Sequence, residues 1–251
     1  MKVLFVGESC SLLAVHVKGF DHMFLGRCQE NGDPCLEALR ANGFDVDYMK
    51  SDDALMHFPE TVEELKKYDA IIFSDVGSNT FLLHPKMHFG GERMPNRLKL
   101  VREYVAQGGG FLMCGGYMSF SGYEAKARYG MTPIADILPV DCLHYDDRME
   151  HPDGIYPHIV DADHPILQGI DSPWPYFMGY NKVILKPEAH LIATIGDDNE
   201  DVFLAAMDYK QGRSVVFSSD CVAHWGPKAF SEWEHYPTLF GNIVRWLAKE
   251  I

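Results

Sequence analysis

No two cysteines in this chain stand as Cys-x-x-Cys, and no apolar run approaches the roughly 18 residues that a membrane-spanning helix needs. The six cysteines, at 10, 28, 35, 114, 142 and 221, are too scattered for a zinc ribbon or a redox dithiol. In a reducing cytoplasm this spacing predicts free, mostly buried thiols that behave as small hydrophobes. Positive charge is also scarce: 22 Lys and Arg face 36 Asp and Glu, for a formal charge of −14. Such a field repels phosphate backbones and anionic membrane surfaces, and no run of Lys and Arg offsets it, so neither nucleic acid nor a membrane is an expected partner. The opening Met1–Gly7 is too short for a signal peptide and reads as a first strand. A soluble, cytoplasmic chain is the expectation. There is no Walker loop, because Gly108-Gly109-Gly110 precedes a strand instead of opening a helix. His84 and His88 have the spacing of a helical metal pair, but Pro85 lies between them; no metal and no cofactor are expected.

What the chain does have is alternation. Val3–Val6, Phe44–Met49, Ala70–Phe73 and Phe111–Met113 read as strands, and Pro34–Ala41, Glu60–Lys67 (opened by Pro59) and Arg97–Ala106 as helices between them. Strand and helix linked by short connections predict right-handed parallel crossovers, hence an α/β doubly wound, mainly parallel sheet. The strands are continuously apolar, which predicts that both sheet faces are covered. After residue 131 prolines at 133, 139, 152, 157, 165, 173 and 175 break up the pattern. Val202–Met207 and Ser214–Ser218 flank a turn at Gly212 and predict an antiparallel hairpin near the C-terminus, followed by a closing amphipathic helix through Ile243, Val244, Trp246 and Leu247. Neither a linker nor an internal repeat is visible, so residues 1–251 read as a single domain.

In an open parallel sheet, chemistry gathers at the carboxyl ends of the strands. Cys114 closes one strand and is followed by Gly115-Gly116, the logic of a nucleophile elbow with the Gly115 N–H available to an oxyanion. A helix starting there would lower the thiol pKa. A small buried residue at a strand end is the plainer alternative. The loop Ser74–Thr80 places Asp75, Gly77, Ser78 and Asn79 where they could complete an oxyanion hole or hold a polar ligand; a simple turn uses the same residues. His224 follows the last strand as a candidate general base, with Asp220 to orient it, although a packed structural histidine fits equally. Asp146-Asp147-Arg148 with Glu150 reads as a charge cluster or a solvated loop, and Val17–Asp21 as a site lining or a cover for the sheet.

Several blocks carry a resemblance: Gly7-Glu8-Ser9, Lys18–Asp21, Ser74–Thr80, Gly115–Gly122, Leu138-Pro139-Val140, Asp146-Asp147-Arg148, Gly179-Tyr180-Asn181 and Asp220–Trp225. In this order, over nearly the whole chain, they resemble a bacterial glutamine amidotransferase-like family of the class I superfamily, related to trehalose-utilisation-type proteins. The resemblance implies a flavodoxin-like α/β/α sandwich. It also implies the Gly-x-Cys-x-Gly elbow and His-x-Glu pair of class I glutaminases, of which Cys114, Gly116 and His224 are present. Leu112 replaces the first glycine, and Trp225-Gly226 supplies no glutamate after the histidine.

Two functions follow as expectations. One is thiol-dependent hydrolysis of a small amide such as glutamine, with Cys114 attacking, His224 shuttling the proton, Asp220 as acid, and Gly115 and the Gly77-Ser78 turn holding the oxyanion. The other is a non-catalytic module that uses the same cleft for a small polar ligand or for assembly. A homo-oligomer or a separate synthase subunit is the expected protein partner.

Overall fold

The computed structural model describes residues 1–251. The chain opens with β1 (Lys2–Gly7), then β2 (Ser9–Lys18) and β3 (Asp21–Glu30), and enters α1 (Asp33–Ala41) and β4 (Asp45–Met49). Short helices α2 (Ser51–His57) and α3 (Val62–Leu65) lead to β5 (Ala70–Ser74); α4 (Ser78–Leu82), α5 (Pro85–His88) and α6 (Arg97–Ala106) lead to β6 (Gly110–Cys114). The less regular half holds β7 (Val140–Cys142), β8 (Arg148–Ile155), β9 (His158–Ile159), β10 (Phe177–Asn181) and β11 (Val183–Leu185). It closes with β12 (His190–Ile195), β13 (Asp201–Tyr209), β14 (Gly212–Phe217), α7 (Lys228–Ser231) and α8 (Tyr236–Leu247).

Eight strands form the central sheet in the order β4-β1-β5-β6-β14-β13-β12-β9. β4, β1, β5, β6 and β14 run parallel, and β13, β12 and β9 extend the sheet by antiparallel pairing. This is the flavodoxin-like sandwich with an antiparallel hairpin, β13–β14, near the C-terminus. β5 and β6 are buried along their whole length because helices cover both faces. Alternate residues divide between two cores. Leu112, Cys114, Val215 and Phe217 pack under α1 and α8, whereas Phe111, Met113 and Val216 pack under α6. On α8, Leu239, Phe240, Ile243, Val244 and Leu247 are fully buried, each contributing roughly 1.5–3 kcal/mol of apolar burial.

Local chemistry sets the helix ends. Asn96 caps α6 by accepting the Lys99 N–H at 3.0 Å. The helix expected over 60–67 is a single turn, because Thr61 and Glu64 form a capping box that starts it two residues after Pro59. His84 is also a cap: its Nδ1 accepts the Lys86 N–H, and Pro85 sits in the first turn of α5, where proline is tolerated.

Two differences from the sequence reading affect function. Residues 9–30, which lie outside the strands and helices expected from sequence, form a free-standing hairpin with Gly19 and Phe20 at its tip. Val17–Asp21 therefore neither lines a cleft nor covers the sheet. In the proline-rich half, β8 pairs with β10 and β7 with β11. The first pair carries Arg148, Glu150 and Asn181 to the carboxyl edge of the main sheet.

Candidate functional site

Four parallel strands deliver their last residues to one edge. β1 hands over to Glu8 and β5 to Asp75, and both adopt left-handed backbone angles, φ +48° and +43°. Such angles are uncommon outside glycine and cost of order 1–3 kcal/mol each. Cys114, by contrast, is not itself left-handed, and the next helical turn, Tyr123–Ala125, starts only nine residues after it. At this edge the left-handed residue is the acid itself after β1 and β5, whereas after β6 it is Gly116 and not the thiol.

Gly116 lies at the centre of the edge. A Cβ there would stand 2.6 Å from Asp220 Oδ1 and 2.7 Å from Asp75 Oδ1, at a φ of +136°. Only a residue without a side chain lets these two carboxylates close on the backbone. Asp75 Oδ1 accepts the Met118 N–H at 2.7 Å. Asp220 Oδ2 lies 2.8 Å from His224 Nδ1 and accepts the Trp225 N–H at 3.0 Å. Asp220 is buried, but the imidazole it holds is half-exposed, edge-on to Tyr117 with ring centroids 4.3 Å apart.

Burial dominates the electrostatics. It raises Glu8 well above the usual carboxyl range, helped by nearby Cys221, Asp220 and Asp75; Ser74 Oγ donates to Glu8 Oε1 at 2.5 Å. Burial likewise pushes Asp220 up to about 7, against the stabilising hydrogen bond from His224, and raises Asp75 against the Met118 N–H. For His224, burial pulls the pKa down, but the hydrogen bond and charge of Asp220, with Glu150 and Asp75, outweigh it and leave it raised. A fourth acid supports the turn behind Gly116. Asp147 accepts the Ser121 and Gly122 N–H groups and Asn181 Nδ2, at 2.8, 2.9 and 2.8 Å. Asn181 Oδ1 in turn takes the Gly116 N–H at 2.9 Å, and its Nδ2 also reaches the Gly116 carbonyl at 3.2 Å. Burial pushes Asp147 up to about 6 despite these donors. Within the charge cluster at 146–150, Asp147 alone is the buried support for the edge, whereas Asp146 and Arg148 are partly exposed and Glu150 is exposed. Arg148, forked by Asp146, lies over the rings of both Tyr117 and Tyr123, 4.8 and 4.3 Å from their centroids.

Beside the edge opens a cleft of about 720 Å³, lined by Asp75, Gly77, Asn79, Met118, Lys126 and Arg128 among others. Of the loop residues singled out in the sequence, Asp75, Gly77 and Asn79 face this cleft. Ser78 is buried, and its N–H is held by the Ala127 carbonyl at 3.1 Å.

Cys114 sits elsewhere. Its side chain is fully buried in the core under α1 and α8, where it meets Cys221 and Cys35, and burial raises its pKa well above the usual thiol range. No hydrogen bond joins it to His224, whose partner is Asp220. Gly115 N–H, the expected oxyanion donor, is taken by the carbonyls of Phe217 and Ser219, both at 2.8 Å. The reason is periodicity: position 114 shares a face with Leu112, and that face is the core, so the thiol follows the strand inward.

Glu8, Asp147, Asn181 and Tyr117 had no assigned role from sequence. Glu8 carried a usable signal, an acid placed directly after the first buried strand. The others depend on pairing between β8 and β10, which proline-rich sequence does not announce.

The "Putative glutamine amidotransferase" family model matches residues 2–249. The chain belongs to the class I glutamine amidotransferase-like family. Two solved structures are similar over nearly all of both chains. Cytoplasmic protein STM1381 of Salmonella typhimurium LT2 is 44% identical, covering 98% of this chain and 99% of that one, with a TM-score of 0.93. Cytoplasmic protein STM3548 of Salmonella typhimurium is 42% identical over the same shares, with a TM-score of 0.94. A ThuA-like protein from Parabacteroides merdae, 13% identical with a TM-score of 0.58, covers 99% of this chain and 90% of its own; it shares the fold. No curated protein gives a significant match. Within this glutamine amidotransferase-like fold no helix is long and apolar enough to cross a membrane.

Proposed function

We propose that the carboxyl edge, beside the cleft that Asp75 lines, takes a small polar molecule of the amide class, and that the Asp220–His224 pair, which stands on the same edge outside that lining, moves the protons of its hydrolysis without a thiol. The observation that carries this reading is the 2.8 Å contact between a buried Asp220 and a half-exposed imidazole. Asp220 engages Nδ1, which leaves Nε2 as the nitrogen for water or substrate. In this reading water attacks the amide carbonyl carbon and yields a proton to Nε2. The same nitrogen returns the proton to the departing amine; a carboxylic acid and ammonia form, and the acid's proton passes to ammonia, so that a carboxylate and ammonium leave. Asp75, at the cleft wall with its pKa raised by burial, faces the polar end of the substrate.

Ammonia release from glutamine, asparagine and simple carboxamides tests this, using wild type, His224→Ala and Cys114→Ala. Turnover that survives Cys114→Ala and disappears in His224→Ala supports the proposal. Loss in Cys114→Ala restores the thiol mechanism. A second reading, a non-catalytic small-ligand module, is favoured by one observation: the Gly115 and Ser78 N–H groups are both engaged, so the donors expected of an oxyanion hole are occupied. That reading predicts thermal stabilisation by a ligand with no turnover, unchanged in His224→Ala.

A further inference from the structure

The hairpin formed by β2 and β3 has no partner within the chain. Its two ten-residue strands pair only with each other, and its side-chain hydrogen bonds to the body are confined to its root, where Ser9 and Ser11 meet Ser51 and Asp52 and Glu30 accepts from Lys50. At about 3.3 Å per residue it projects roughly 33 Å. An isolated two-stranded hairpin is at best marginally stable in water. This one is also apolar: 8 of the 19 exposed large hydrophobic side chains in the chain belong to it.

Both faces of the hairpin are sticky. Directly paired residues share a face, so the register Leu13↔Gly26, Val15↔Phe24, Val17↔His22 places Leu13, Val15, Val17 and Phe24 together, with Leu13 71% and Phe24 62% exposed. The opposite face carries Leu12, Met23 and Leu25, and Phe20 stands fully exposed at the tip. A soluble monomer rarely leaves such a contiguous patch in water.

We propose that this arm is a homodimerisation element, whose apolar faces are covered by a second copy of the chain. Charge selects that occupant. Within residues 9–30, Lys18 and Arg27 balance Asp21 and Glu30, so the formal −14 lies entirely on the body. Two bodies repel, whereas two arms do not. An arm about 33 Å long also holds the acidic bodies beyond the Debye length of about 8–10 Å. Size agrees: a standard interface draws on roughly 20–30 residues a side, which two ten-residue strands and their turn supply. A two-fold pairing of identical arms is self-complementary, and the free outer edge of each hairpin offers backbone groups for β-pairing as well.

Light scattering coupled to size exclusion, across micromolar concentrations of the full chain, tests the proposal. Wild type is expected at twice the chain mass or a multiple of it. Val15→Lys with Phe24→Lys, a pair on one face and outside the core, is expected at the monomer mass with unchanged far-UV circular dichroism. A control, Met131→Lys, changes an exposed apolar residue away from the arm and should leave the mass as in wild type. A monomeric wild type overturns the proposal and gives the arm to a partner of another kind. An unchanged mass in the double variant overturns it as well and places any interface elsewhere.

Discussion

Two neighbouring parallel strands, β5 and β6, end side by side and treat their terminal residues in opposite ways. After β5 the backbone turns left-handed at Asp75 and brings a carboxylate to the cleft. β6 stays extended through Cys114 and buries its thiol beneath α1 and α8. The residue with the greater intrinsic reactivity is the one sealed away. A strand end becomes a site when the turn after it reverses the direction of the side chain, and residue type alone does not decide this.

The largest effect should come from the support behind the edge. Asp147→Ala leaves three buried donors, from Ser121, Gly122 and Asn181, without their acceptor. A loss of about 3–5 kcal/mol is expected in urea unfolding, since each orphaned group costs roughly 1–3 kcal/mol and the three are not independent. A loss below about 1 kcal/mol would mean that water replaces the carboxylate and that the support is dispensable. Gly116→Ala strikes the point where the two acids meet. With a φ of +136° and Asp220 and Asp75 oxygens under 3 Å from the new carbon, it should cost about 2–4 kcal/mol and abolish ligand stabilisation together. A variant as stable as wild type would break the comparison, because it would show that the edge tolerates a side chain.

Acidity sharpens it. Asp147 titrates near 6 and Asp220 near 7 in the folded protein, against about 4 for an unfolded aspartate. Between those values the folded state holds protons that the unfolded chain has released, so their contribution is full below about pH 4 and is lost as pH rises to 6–7. His224, raised by Asp220, acts in the same sense, losing its contribution as pH rises through its folded pKa; the two share a hydrogen bond and titrate as one unit. Unfolding free energy at pH 5 should therefore exceed that at pH 8 by on the order of 2 kcal/mol. Equal stability across that range, measured by denaturant titration, would remove the buried acids from the account. The smallest effect belongs to the thiol: Cys114→Ala should cost roughly 1–2 kcal/mol of packing and leave ligand binding unchanged. Native-state alkylation of the Val15→Lys, Phe24→Lys variant, whose arm is uncovered, read by mass spectrometry, should label Cys10 and Cys28, which are exposed in the single chain, and spare Cys35, Cys114, Cys142 and Cys221. Rapid labelling of Cys114 would reverse the contrast between the two strand ends.

Much of the fold was legible in the chain. Continuous apolar runs separated by helical periodicity are direct consequences of a sheet covered on both faces, so β1, β5, β6 and α6 fall where the pattern puts them. The site was harder to read. Asp75, Asp220 and His224 stand out because they follow strands, but the direction of Cys114 depends on which face of β6 meets α8, and two glycines after a cysteine look the same in either case. The support by Asp147 and Asn181 is a long-range pairing between segments 34 residues apart, with no local periodicity to betray it. The arm was overlooked for a different reason. Its apolar residues fall on both faces, as in a strand covered on both sides, and nothing in the sequence says that the chain itself supplies no cover.

The carboxamide of Asn181 has one acceptor and two donors, and all of them are engaged: with the Gly116 N–H, the Gly116 carbonyl and Asp147. A flipped amide would confront a donor with a donor on one side and an acceptor with an acceptor on the other. The turn after β6 therefore has a single admissible phase relative to β10, and the first and second halves of the polypeptide are keyed to each other at one amino acid. A chimera of two relatives joined between these segments would need both halves of that key from the same parent to keep the carboxylates at Gly116 in place.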